Sequence, residues 1–153
     1  MRLLLLEDDA KKREDILNAV REAFANADVR VAASVHSGIA EIEKQRVDVI
    51  LLDMTMPPFD VGPDEDGDTR HFGGREFLRQ LEMRDSLAPI VMVSQFSQFG
   101  KDETATTLAE LDSELRAMYP EHYRGAIHYS TRVDEWRSRL IEAIRAIAGD
   151  ARQ

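Results

Sequence analysis

Four consecutive leucines, Leu3 to Leu6, open the chain and are stopped at once by Glu7-Asp8-Asp9. A short unbroken apolar run ended by charges is the pattern of a strand buried on both faces of a parallel sheet. Ile16, Leu17, Val20 and Phe24 then recur at helical spacing, predicting a helix over about Lys11 to Ala25. Val29, Val31, Ala33 and Val35 alternate with other residues and predict a second strand. Ser37 is placed to cap a short helix carrying Ile39 and Ile42. Val47 to Leu52 predicts a third strand, ending in Asp53. Strand followed by helix, repeated, is the rhythm of a doubly wound α/β fold.

The rhythm breaks at Met56 to Gly74, a stretch with three prolines, Gly62, Gly67 and several acids but no apolar period. A loop this long inside a compact domain is usually functional or disordered. Helix resumes over Arg75–Arg84, with Phe77, Leu78 and Leu81 facing inward. Ile90 to Val93 predicts a fourth strand, ending in Ser94. Leu108, Leu111, Leu115 and Met118 mark a helix that Pro120 stops. Gly125 to Tyr129 is the expected fifth strand, and Val133, Trp136, Leu140, Ile141, Ile144 and Ile147 define a last amphipathic helix. The whole chain, 1-153, reads as one domain with an inserted loop at about 58-73.

Composition removes several classes. The chain has 153 residues, 43% hydrophobic and 32% charged, which is an ordinary globular balance. Absence of cysteine excludes a disulfide scaffold, a thiolate nucleophile and a sulfur-ligated zinc site. A net charge of −9 argues against binding nucleic acid or an anionic membrane surface. The apolar run at the start is too short for a signal peptide or a membrane span, so the expected location is cytoplasmic.

In an open parallel sheet, the loops at the carboxyl ends of the strands gather at one edge, where ligands bind. That brings Glu7 and Asp8, Asp53, and Ser94 together. Converging carboxylates repel unless a cation is bound, and carboxylate and carbonyl oxygens suit Mg²⁺. With a metal present, one carboxylate can act as nucleophile toward a phosphoryl group. The simpler reading of each residue alone is local: Asp8 or Asp9 as a helix cap, Asp53 as a turn residue, Ser94 as a turn hydroxyl. Helix capping accounts poorly for all of them jointly.

Leu3-Leu4-Leu5-Leu6-Glu7-Asp8-Asp9, Val49-Ile50-Leu51-Leu52-Asp53-Met54-Thr55-Met56-Pro57 and Pro89-Ile90-Val91-Met92-Val93-Ser94 together resemble the receiver domain of bacterial two-component response regulators. The resemblance implies a flavodoxin-like five-stranded parallel sheet of order 2-1-3-4-5 with helices on both faces. It implies that Asp53 is the phosphoacceptor, and that Glu7, Asp8, Asp53 and the backbone carbonyl of Thr55 hold Mg²⁺. Ser94 then matches the switch hydroxyl. The implied partners are a sensor histidine kinase or phosphotransfer protein and an unknown downstream protein. A stand-alone regulator of this kind signals through protein contacts, through dimerisation, or by passing the phosphoryl group onward. It is not expected to be an enzyme beyond slow autodephosphorylation.

The chain departs from the family in three places. Receivers end the fifth strand with a lysine and a proline; here Tyr129 and Ser130 stand there, and Ala126 stands where an aromatic is usual. Lys101, Arg132 and the pair Lys11-Lys12 are the candidate replacement cations. The insertion from Phe59 to Phe72 carries Asp64-Glu65-Asp66-Gly67-Asp68 but is no calcium loop, since Thr69 and Arg75 occupy the positions that need glycine and glutamate. It reads as a solvated loop, or as a flap over Asp53. Finally, Phe96, Phe99, Tyr119, Tyr123 and Tyr129 concentrate around the surface through which receivers signal, most of them expected in the core. His36, His71, His122 and His128 show no metal spacing and read as surface or loop residues. Two alternatives stand beside this reading: a pseudo-receiver that binds partners without phosphorylation, and a Mg²⁺-dependent phosphatase with an aspartate nucleophile. The second acid such a phosphatase needs is replaced here by Thr55.

Overall fold

Uninterrupted apolar runs become the middle of the sheet, as the patterning requires. The structure is a computed structural model that describes residues 1–60, 73–84, 86, 88–99 and 106–150. Strands β1 (Arg2–Leu6), β2 (Asp28–Ala32), β3 (Val49–Leu52), β4 (Ile90–Ser94) and β7 (Tyr123–His128) form one sheet of order β2-β1-β3-β4-β7. All neighbours are parallel, with Leu6 opposite both Ala32 and Leu52, and Leu52 opposite Met92. This is the expected 2-1-3-4-5 order, the fifth sheet strand being the seventh along the chain. Helices α1 (Ala10–Ala23), α2 (Val35–Lys44), α3 (Gly73–Met83), α4 (Leu108–Met118) and α5 (Glu135–Asp150) cover it.

Alternation along each strand divides the core into two layers. Leu4, Leu6, Ile50, Leu52, Ile90 and Met92 pack with Phe77, Leu81, Leu111 and Leu115 on the α2–α4 side. Leu3, Leu5, Val49, Leu51, Val91 and Val93 pack with Ile16, Val20, Trp136, Leu140 and Ile144 on the α1–α5 side. Parallel strands covered on both faces have no reason to alternate in polarity, which is why β1 and β3 are buried at every residue after Arg2.

Several boundaries differ from the sequence reading. The second strand ends at Ala32, and Val35 opens α2. Ser34, not Ser37, is the cap: it accepts from the Ser37 N–H, and Ser37 returns the bond as the third helical residue. The polar stretch after Ser94 contains a small antiparallel hairpin, β5 (Gln98–Phe99) with β6 (Thr106–Thr107). Two-residue strands are too short to show a period. His122 is buried just before β7, not on the surface. Tyr119, Tyr123 and Tyr129 are core residues, as expected.

Most of the insertion lies outside the described residues, as do Lys101 and His71. Its described beginning runs across the start of α2. The Val35 and His36 N–H groups donate to the carbonyls of Pro57 and Pro58, both at 3.0 Å. The Ser37 hydroxyl donates to Asp60, and the His36 and Phe59 rings lie 5.4 Å apart. Two orphan donors of the helix end are satisfied in this way.

Candidate functional site

Each strand end delivers its acid by a local device. The Glu7 N–H donates to the Ala32 carbonyl and the Asp53 N–H to the Leu6 carbonyl, so the ladder runs one residue past β1 and β3 and fixes both backbones. Asp9 is the cap of α1, its carboxylate accepting from the Lys12 N–H at 2.8 Å. That leaves Asp8 exposed at the mouth and free of the capping role. One oxygen from each of Glu7, Asp8 and Asp53 lies within 4.8 Å of the others. Glu7 and Asp53 are buried, 1% and 4% exposed.

The loop after Asp53 is held from behind by α3. Gly74 and Gly73 donate to the carbonyls of Met54 and Met56 at 3.0 and 2.9 Å. The intervening Thr55 turns its hydroxyl and its N–H to the Asp53 carboxylate, at 3.0 to 3.2 Å. Both glycines are required by this close approach, because a Cβ on Gly73 would lie 2.1 Å from the Met56 oxygen and one on Gly74 2.7 Å from the Met54 Cα.

Among the described residues, one basic side chain enters the acid cluster. Lys12, 0% exposed, places Nζ 2.6 Å from Glu7, 3.6 Å from Asp53 and 2.7 Å from the Val93 carbonyl, to which it donates. Of the candidate cations, Arg132 is exposed, and Lys11 is turned outward to pair with Asp15. A signal for Lys12 was present in the pattern: it lies four, seven and eight residues before Ile16, Ala19 and Val20, on the buried stripe of α1. A lysine on an apolar stripe is rarely buried without a partner.

The place after β7 is filled by Tyr129. Its N–H donates to the Ser94 carbonyl at 2.7 Å, its ring packs on Trp136 at 5.0 Å, and its hydroxyl donates to Asp15 of α1. Burial, then the bond to Asp15, holds the phenol above its usual range. Ser94 is fully buried, its hydroxyl bonded both ways to the Phe96 backbone at 3.0 Å. In this state it is a turn hydroxyl.

Electrostatics mark the cluster as under-compensated. Burial pushes the Glu7 carboxyl up to about 8, against the pull of Lys12, with Asp53 adding to the rise. Asp8 is raised by desolvation and then by Asp53. Three carboxylates against one ammonium leave room for a dication. The donor set, hard oxygens only, fits Mg²⁺. The oxygens of Glu7, Asp8 and Asp53, gathered within 4.8 Å of one another, are the ones that would hold it.

A five-stranded parallel sheet of this order, with acids converging at the ends of β1 and β3, is the arrangement that the resemblance to receivers implies. The chain belongs to the response regulator receiver domain family, whose model matches residues 3–113. It is 32% identical over 147 residues to uncharacterized protein y4jR of Sinorhizobium fredii, covering 94% of this chain and 96% of that one. It is 28% identical over 147 residues to the Detocs response regulatory protein DtcB of Enterobacter cloacae, covering 94% and 98%. Among solved structures, chemotaxis response regulator CheY4 of Vibrio cholerae superposes with a TM-score of 0.63 at 19% identity, covering 95% of this chain and 97% of that one. The response regulatory domain of mrkE from Klebsiella pneumoniae gives 0.65 at 12% identity, covering 100% of each. Receiver domains are signalling domains. No helix among the described residues is long and apolar enough to cross a membrane.

Proposed function

We propose that this protein is a phosphorylation-dependent receiver that takes a phosphoryl group on Asp53 from a sensor histidine kinase or phosphotransfer protein. It then signals through protein–protein contacts in the cytoplasm. The observation that carries the reading is the buried Asp53 carboxylate, oriented by Thr55 and flanked within 4.8 Å by the oxygens of Glu7 and Asp8. Glu7, Asp8, Asp53 and the Thr55 carbonyl are the residues to hold Mg²⁺; the neighbouring carbonyls of Met54 and Met56 are already engaged by α3. Bound there, the ion supplies neutralisation of the charge that builds on the transferred group.

The chain's own part in transfer is positioning and electrostatics. An Asp53 oxygen attacks phosphorus, forming an O–P bond, while the bond to the donor's nitrogen or oxygen breaks and its electron pair leaves with the donor. Ser94, at the end of the neighbouring strand, is the hydroxyl to turn from the Phe96 backbone toward the new phosphoryl oxygens. The test is intact-protein mass after incubation with acetyl phosphate, with and without Mg²⁺. A single phosphoryl adduct on the wild type, absent from Asp53→Asn and without metal, supports the reading. No adduct on folded protein overturns it in favour of a partner-binding module that is not phosphorylated.

A further inference from the structure

The fold brings three strand ends to one edge, and Lys12 touches all three: Glu7 after β1, Asp53 after β3 and the Val93 carbonyl near the end of β4. Its ammonium is therefore held against Glu7 and Asp53 by α1, at full burial. The contact to Glu7 is short, whereas Asp53 at 3.6 Å lies beyond an ordinary hydrogen bond. Glu7 and the Val93 carbonyl take two of the three N–H groups of the ammonium, which leaves the third for the Asp53 side. Tyr129, at the end of β7, cannot serve in its stead. It carries no charge, and its hydroxyl and ring are committed to Asp15 and Trp136.

We propose that Lys12, from the first turn of α1, is the fixed cation of the phosphoacceptor site: it lets Glu7 pass to the metal and bonds a phosphoryl oxygen on Asp53. This rests on the phosphoacceptor reading above. The charge count agrees. Glu7, Asp8 and Asp53 with Lys12 sum to −2, which a single Mg²⁺ neutralises. Converting the Asp53 carboxylate to a dianionic acyl phosphate adds one further negative charge, so the site with Mg²⁺ carries −1 with Lys12 and would carry −2 without it. A lysine that served only to hold the acids together would affect metal and phosphoryl ligands alike. One that faces the phosphoryl group affects them oppositely, because it competes with the metal for Glu7.

The experiment compares wild type, Lys12→Met and Lys12→Arg as full chains. It titrates Mg²⁺ alone by calorimetry, then beryllium fluoride with saturating Mg²⁺ as a phosphoryl mimic. Lys12→Met is expected to bind Mg²⁺ at least as tightly as wild type while its beryllium fluoride affinity falls about tenfold to a hundredfold, the range for one charge-assisted bond. Lys12→Arg should recover part of that loss. Beryllium fluoride affinity within twofold of wild type in Lys12→Met overturns the proposal, and so does a parallel loss of both ligands. Should Lys12→Met fail to fold, Lys12→Gln decides by the same two criteria, since it removes the charge while leaving a polar amide, one atom shorter, at this buried position. If wild type itself takes neither acyl phosphate nor beryllium fluoride, the failure belongs to the phosphoacceptor reading.

Discussion

Gly74→Ala tests how tightly α3 is docked against the loop that carries Asp53 and Thr55. In an exposed helix the change stabilises, by up to about 1 kcal/mol, because alanine is the better helix former. Here the new Cβ would stand 2.6 Å from the Met54 sulfur, 2.7 Å from its Cα and 3.0 Å from its carbonyl oxygen. The sulfur can move; the backbone cannot without shifting the loop. Overpacking of this kind costs about 1–3 kcal/mol, so the clash outweighs the propensity and the net loss is about 1–2 kcal/mol. For a chain this long that lowers Tm by about 2–8 °C. Gly149→Ala, at a helical position with nothing within 4 Å, is the internal control and should be neutral or slightly stabilising. The assay is thermal and urea unfolding of both variants. Mg²⁺ titration of Gly74→Ala should also show weaker binding, because the displaced loop bears the Thr55 carbonyl. A Gly74→Ala protein as stable as wild type would refute the close docking of α3 and with it the positioning of that carbonyl.

Tyr129→Phe keeps the packing on Trp136 and removes the bond to Asp15, so a loss of about 1 kcal/mol in urea unfolding is expected. Asp53→Asn reduces the like-charge repulsion on Glu7 and Asp8 and should raise the Tm of the metal-free protein while weakening Mg²⁺ binding; a lowered Tm would show Lys12 to be the dominant partner of Asp53. The Glu7 carboxyl is raised by burial from 4.5 to about 8. Its contribution to metal-free stability is thus complete below the lower value and disappears as pH climbs through the upper one. Urea midpoints should fall over that window, and the apparent Mg²⁺ affinity should rise across it, since binding displaces a proton; an affinity independent of pH would contradict both. Ser34→Ala removes the cap of α2 and should cost about 0.5–2 kcal/mol, whereas Ser37→Ala should cost less because it leaves the Ser34 acceptor in place.

The two layers of the core and the acids at the strand ends were legible because their causes are local. A strand covered on both faces must be apolar throughout, as in Leu3–Leu6 and Val49–Leu52, and the residue where that run stops marks the carboxyl edge. Glu7, Asp8 and Asp53 are each the first or second polar residue after such a run. The hairpin of β5 and β6 and the true cap of α2 were not legible. Strands of two residues have no period, and Ser34 and Ser37 differ as caps only by where the chain turns, which the carbonyls of Pro57 and Pro58 help to settle.

What the sequence determined by itself, then, was the strand–helix rhythm and the acidic edge, since both follow from apolar runs and from where they stop; the order of the sheet came with the resemblance to receivers. Tertiary structure decided which cation meets the acids. Lys11 and Lys12 are neighbours of identical chemistry, yet one pairs with Asp15 outside and the other is sealed between Glu7, Asp53 and Val93. The difference is the rotation of α1 about its axis, set by Ile16, Ala19 and Val20 packing on the sheet and by Tyr129 reaching Asp15 from β7. Helical spacing puts Lys12 on the buried stripe, but the partners its ammonium meets lie up to 81 residues away, and no local pattern contains them.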